Sequence, residues 1–239
     1  MGRMLGILAL PALAAAVIAY LLGSISFSII FTRMFDNNAD IRDLGSGNAG
    51  LTNVLRSVGI KAALFTLVFD FAKGGVSVCL GRFIFRQACA ANGIPLYAAQ
   101  YGAYLAGLAC VLGHIYPLYF GFRGGKGILS TSAMLAFVDW RFFAVGLAVF
   151  AAVLAVSKIV SISSICGAAS FPVSNFLFTY FSDYRGRDLP GGPVPLSYVW
   201  ITTAISVVIA VILILKHRAN IIRLKNGSES KLSIKRAKK

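Results

Sequence analysis

The stretch Leu196–Leu215, LSYVWITTAISVVIAVILIL, runs for twenty residues without a charge. A helix needs roughly 20 apolar residues to cross a hydrocarbon core about 30 Å thick. This stretch therefore reads as a transmembrane helix, and the pattern recurs along the chain. Further apolar stretches cover Leu5–Phe31, Ile60–Phe85, Leu96–Phe120, Gly127–Val138, Phe142–Val156 and Ile159–Phe181. Gly127–Val138 and Phe142–Val156 are short. They fit two short helices buried by their neighbours, or one broken or re-entrant element. The expected fold is an all-α polytopic integral membrane bundle of about seven transmembrane segments.

Composition supports that reading. Of the 239 residues, 58% are hydrophobic and 13% charged, and the mean hydropathy is +0.79. Soluble domains carry about 25% charged residues, so this chain cannot cover itself with polar surface. Arg3 precedes an apolar run much longer than a signal-peptide core of about 7–15 residues, and no cleavage site follows. The first segment reads as a retained span. Cys79, Cys89, Cys110 and Cys166 form no CxxC pair and sit in or beside apolar stretches, as small core or lipid-facing residues.

The net charge of +15, from 23 Lys and Arg against 8 Asp and Glu, points to anionic lipids, anionic substrates or both. It also reports topology. With the N-terminus outside and the C-terminus cytoplasmic, sixteen basic residues fall on cytoplasmic segments and six on external ones, as the positive-inside rule requires. Residues 1–219 then form a transmembrane domain with cytoplasmic glycine-rich loops at 33–59 and 121–127. Residues 220–239 form a basic cytoplasmic tail on anionic headgroups. No nucleic-acid partner is expected.

Three polar stretches share the cytoplasmic side. The first, GSGNAGLTNVLR, places Gly45, Gly47 and Gly50 among Ser46, Asn48, Thr52, Asn53 and Arg56. Glycines let backbone N–H groups converge on an oxyanion, and Arg56 can form a two-pronged bond to phosphate. GxxxxGK[ST] is absent. The second, GGKG, sets Lys126 between Gly124, Gly125 and Gly127 at the start of an apolar helix. The third, HRANIIRLKNGSES, places His217 and Asn220 three apart, on one face of a helix. Arg223 and Glu229 follow. A flexible turn, a basic loop marker and a positive-inside anchor are the bland alternatives for these stretches. His114 reads as a satisfied structural histidine. Asp70 and Lys73, at i and i+3 inside the second span, read as a mutually neutralising pair.

Together these stretches resemble the bacterial acyl-phosphate:glycerol-3-phosphate acyltransferases, the PlsY family. The resemblance covers nearly the whole chain. It runs from GSISFS at Gly23 through the three motifs to GSES at Gly227. Ser26 and Ser28 stand where the family often has Pro and Gly, and Leu51 where it usually has a small residue. The resemblance implies a seven-span protein of the bacterial inner membrane. It would move a fatty acyl group from acyl phosphate to the 1-hydroxyl of glycerol 3-phosphate, giving lysophosphatidic acid and phosphate. Active-site positions would fall on Ser46, Arg56, Lys126, His217 and Asn220. The glycine loop Gly45–Gly50 would hold the donor phosphate. The enzyme that makes acyl phosphate is a candidate contact.

No cofactor or metal is expected, since the two histidines are far apart and no acidic cluster occurs. Neither histidine has an acidic residue five positions on; Tyr119 and Ile222 stand there. That argues against the His-Asp acyltransferases that use thioesters. A transporter of organic phosphates also suits basic glycine loops and broken spans. A non-catalytic scaffold leaves the glycine motifs unexplained.

Overall fold

The computed structural model describes residues 2–187, 189 and 192–231. They form ten α-helices: α1 (Gly2–Gly23), α2 (Phe27–Phe35), α3 (Leu51–Ser57), α4 (Ile60–Asn92), α5 (Ala99–Ile115), α6 (Ile128–Val138), α7 (Trp140–Ser157), α8 (Val160–Phe178), α9 (Leu196–Lys216) and α10 (Arg218–Lys225). No strand occurs among the described residues. Six segments are long and apolar enough to cross a membrane, α1 and α2 counting together as the first. The expected all-α membrane bundle is what the chain folds into. The last eight residues of the basic tail lie outside the described residues.

The spans differ in detail from their hydropathy outlines. Leu5–Phe31 is not one helix. It breaks at Ser24–Ser26, where the buried Ser26 and Ser28 hydroxyls bond each other at 3.1 Å. The second span runs seven residues past Phe85 to Asn92, 33 residues in all, or about 50 Å of helix. Arg82 and Arg86 do not end it. Arg82 bonds the Gln100 Oε1 and the carbonyls of Phe137 and Val138 at the end of α6. Of the two short segments, Phe142–Val156 lengthens into the 18-residue α7, while α6 keeps only 11 residues, about 16 Å. The turn-rich stretch from Ser182 begins as a π-helical continuation of α8 over Thr179–Gly186.

Without a hydrophobic drive between helices in lipid, close packing needs small residues. Gly81 on α4 and Gly102 on α5 meet so closely that a Cβ on either would strike the other's carbonyl oxygen. Val78, Tyr104, Val111, Met134, Phe171 and Leu213 form the central core, drawn from α4, α5, α6, α8 and α9. A second cluster, including Ile29, Ile41, Ala49 and Val54, seats the first glycine loop on α2 and the start of α4. The cysteines are unpaired.

The pairing fixes which ends lie together. The start of α1 packs with the end of α4 and the start of α5. The opposite end gathers the α2–α4 loop, the α5–α6 loop, the start of α8 and α10 around one cavity.

Candidate active site

The cavity has a volume of about 820 Å³ and is polar at one end and apolar at the other. Ser46, Arg56, Lys126, His217 and Asn220 all line it, though they lie up to 174 positions apart in the chain. Gly45, Asn48, Gly50, Thr52, Asn53 and Gly127 line it as well. Gly47 and Gly124 face a separate, smaller pocket. Gly125 lines neither. It is packed so tightly between the Ala49 carbonyl and the His114 ring that a Cβ would collide with both.

Asn53 organises the first loop from within. Its side-chain amide donates to the carbonyls of Ile41, Leu44 and Asn48 at 3.1, 2.9 and 3.1 Å. Its Oδ1 accepts the Ser46 N–H at 3.0 Å. The Gly45 backbone has φ +54 beside Asn53 and Ser57, a left-handed conformation in a space that excludes a side chain. The loop thus holds the Ser46 hydroxyl and the helix carrying Arg56 at the cavity rim.

Donors and acceptors are sorted within the cavity. Arg56 and Lys126 form no hydrogen bond or ion pair with any described residue, so both cations are free to meet an anion. Lys126 is held down to about 8, by burial first, then by the charges of Arg223 and Arg56, with Glu229 opposing. His217 is buried, and its Nδ1 lies 2.8 Å from the Leu213 carbonyl. A carbonyl only accepts, so Nδ1 carries the proton and Nε2 is left as an acceptor. Burial holds the imidazole below its ordinary pKa, with Lys126 adding to the effect. The Asn220 Oδ1 is buried without a partner, a second acceptor. Two cationic donors and two neutral acceptors suit phosphates and a hydroxyl respectively.

The third stretch supplies a clamp. Glu229 Oε1 accepts from Asn220 Nδ2 at 2.6 Å and from Ser161 Oγ at 2.7 Å, while Oε2 accepts Arg223 Nε at 2.6 Å. Burial works to raise this carboxyl, but the bonds from Asn220, Ser161 and Arg223 outweigh it and hold it below its ordinary value. Gly227, at φ +67, turns the chain back so that Glu229 reaches α10. Arg223 and Glu229 are legible in the sequence as neighbours of His217 but not as the clamp on Asn220. Ser161 and Ser164, which line the cavity from α8, sit in a stretch that reads simply as a span.

In the wall of the cavity, which Asp70 and His114 help to line, sits a buried polar triad. Lys73 Nζ stands 2.7 Å from Asp70 Oδ1 and donates to the Ile25 carbonyl at 2.6 Å. It also lies 3.2 Å from His114 Nδ1. The expected Asp70–Lys73 pair and the satisfied histidine are therefore one unit. It ties α4 and α5 to the break between α1 and α2. The apolar end, with Leu67, Phe71, Leu135, Phe143, Leu147 and Phe150, opens among α4, α6 and α7.

A membrane-embedded helical bundle with unpartnered cations at one end of a cavity and apolar walls at the other suits an anionic, lipid-like ligand. The chain belongs to the glycerol-3-phosphate acyltransferase family, whose model matches residues 13–227. Its relatives include the glycerol-3-phosphate acyltransferase of Thermoanaerobacter sp. (strain X514), 36% identical over 227 residues, spanning 94% of this chain and 97% of that one. That of Cereibacter sphaeroides (strain ATCC 17025 / ATH 2.4.3) is 37% identical, spanning 96% and 93%. Among solved structures, PlsY (YgiH), an integral membrane glycerol 3-phosphate acyltransferase in its glycerol 3-phosphate form, aligns with a TM-score of 0.70 at 32% identity. The alignment covers 93% of this chain and 96% of that one. The chain is thus a multi-pass membrane glycerol-3-phosphate acyltransferase of lipid synthesis.

Proposed function

We propose that the acyl donor is acyl phosphate and that the 1-hydroxyl of sn-glycerol 3-phosphate is the acceptor, giving lysophosphatidic acid and inorganic phosphate. The observation that carries this reading is the pair of unpartnered cations, Arg56 and Lys126, in a cavity whose other half is apolar. Two phosphates and an acyl chain are the cargo such a cavity suits. PlsY has been solved in glycerol 3-phosphate and lysphosphatidic acid forms, in keeping with that acceptor and product.

In the proposed reaction the glycerol oxygen attacks the acyl carbonyl carbon. The new C–O bond forms, the bond to the phosphate oxygen breaks, and phosphate leaves with that electron pair and takes the hydroxyl proton. An acyl phosphate is already an activated anhydride, so no covalent enzyme intermediate is needed. Arg56, Lys126 and the Ser46 hydroxyl screen the phosphates and the developing oxyanion. Gly45, Gly50 and Gly127, with Asn48 and Thr52, shape the phosphate cradle, and Asn53 holds it. His217 Nε2 and Asn220 Oδ1 orient the attacking hydroxyl. The site end faces the cytoplasm of the inner membrane, the side that carries the excess of basic residues.

The deciding experiment supplies the purified protein with glycerol 3-phosphate and either acyl phosphate or an acyl thioester. Turnover is expected with acyl phosphate, and it should persist in EDTA. Turnover with the thioester alone would overturn the donor assignment, and vectorial uptake without chemistry would make the protein a transporter.

Two expectations follow from the protonation states. Lys126 is cationic below about pH 8, so kcat/KM should fall as pH rises through that value in the free enzyme. Lys126→Arg keeps its charge at any accessible pH and should shift the fall upward; an unchanged alkaline limb would remove Lys126 from phosphate binding. His217→Asn should retain substantial turnover, because the proton leaves with phosphate. Loss of chemistry with glycerol 3-phosphate binding intact would make His217 the base.

A further inference from the structure

On the same end of the bundle a second pocket, of about 230 Å³, is lined by Arg42, Gly47, Phe122, Arg123, Gly124, Lys216 and one further residue. It shares no lining residue with the reaction cavity. Three of its side chains are cations. The Arg42 guanidinium is fixed in place, donating to Asp40 through Nε at 2.9 Å and Nη2 at 2.7 Å. Its Nη1 donates to the Phe120 carbonyl at 2.7 Å. Asp40, held at about 2 chiefly by Arg42, offsets that one charge.

Arg123 and Lys216 have no carboxylate within ion-pair distance among the described residues. Lys216 Nζ rests over the Tyr116 ring, 4.7 Å from its centroid, and the Arg123 side chain is exposed. Two cations are thus left uncompensated around a concave surface of glycine backbone. Phe122 in its lining and Tyr116 beside Lys216 are each about half exposed, at 54% and 46%. Aromatic rings on a membrane protein collect at the headgroup level, where anionic phosphate is concentrated.

We propose that this pocket is a second phosphate-binding site, which takes either the headgroup phosphate of an anionic phospholipid or a free phosphate ion. It stands apart from catalysis, and its occupancy does not depend on the identity of the acyl donor. A ligand here joins the α2–α3 connection, the α5–α6 loop and the end of α9. It would therefore stabilise the polar end of the bundle.

The test uses full-length protein carrying Ser46→Ala, Arg56→Ala and Lys126→Ala, which disables phosphate binding in the reaction cavity. It is placed in nanodiscs of phosphatidylcholine, in the same discs with inorganic phosphate titrated in, or in discs containing phosphatidylglycerol. A ligand that binds only the folded state raises the melting midpoint. An increase of about 5 °C is expected near saturation in at least one of the last two conditions, and which one responds identifies the source. Adding Arg123→Gln and Lys216→Gln should abolish the increase while leaving the midpoint in plain phosphatidylcholine unchanged. Arg123→Lys with Lys216→Arg should preserve it. No increase in either condition, an increase that survives the glutamine pair, or its loss in the charge-conserving pair would each overturn the proposal.

Discussion

The variant carrying Ser46→Ala, Arg56→Ala and Lys126→Ala is expected to fold normally and to lose essentially all turnover. Removing one preorganised donor to a developing charge costs about 10²–10³ in kcat. Losses among groups that act together do not simply add, so the triple variant should fall by at least about 10³. Structure argues equally that the fold survives. Among the described residues neither cation has a protein partner to orphan and the Ser46 hydroxyl makes no bond, its backbone N–H being the group that Asn53 holds. Lys126 already feels repulsion from Arg223 and Arg56, so removing two of these charges relieves repulsion among the three. The measurement is kcat/KM for glycerol 3-phosphate beside the melting midpoint of the same preparation. Activity within tenfold of wild type at an unchanged midpoint would move the reaction away from this cavity.

Half of that site is visible in the sequence. Glycine-rich and basic stretches announce their chemistry because glycine, Arg and Lys have few other reasons to cluster between spans. His217 and Asn220 were legible from their spacing of three, although His217 sits at the junction of α9 and α10 rather than within a helix. Other parts left no such mark. Ser161 bonds Glu229 at 2.7 Å across 68 positions, and no local pattern links a serine in an apolar helix to an acid in a tail. Asn53 reads as one more phosphate donor, yet three carbonyls engage its amide; only the folded loop distinguishes a ligand from a brace.

The fold shows the same division. Hydropathy located every span but set its ends poorly: the outline Ile60–Phe85 stops before Arg86, whereas α4 runs on to Asn92. Arg82, inside that outline, is satisfied by Gln100 and two α6 carbonyls. The break at Ser24–Ser26 was hidden for the opposite reason. Small serines are tolerated in apolar runs, and it is the neighbouring Lys73, reaching the Ile25 carbonyl, that gives the freed backbone a partner.

Lys73→Met is expected to be the most destabilising single substitution at the polar end. Lys73 and Asp70 are 5% and 0% exposed, and the ammonium alone faces the Asp70 carboxylate at ion-pair distance, apart from His114 Nδ1 at 3.9 Å. Both Asp70 oxygens otherwise lack an aligned hydrogen bond. Removing one member of a buried pair leaves an uncompensated charge, at a cost of about 3–5 kcal/mol. For a domain of this size that corresponds to a fall of about 10 °C in the melting midpoint. The loss should be mostly electrostatic, since methionine fills nearly the same volume. Asp70→Asn combined with Lys73→Met should therefore recover much of it, though the Ile25 carbonyl stays unpaired in both. Activity should not recover in parallel. The Lys73 ammonium also bonds the His114 ring, against which Gly125 of the phosphate loop is packed, so the double variant should melt near wild type but bind glycerol 3-phosphate less well. A midpoint for Lys73→Met within a degree of wild type would show that Asp70 has another counter-charge. Equal recovery of stability and activity would show that the triad holds the bundle without setting the loop.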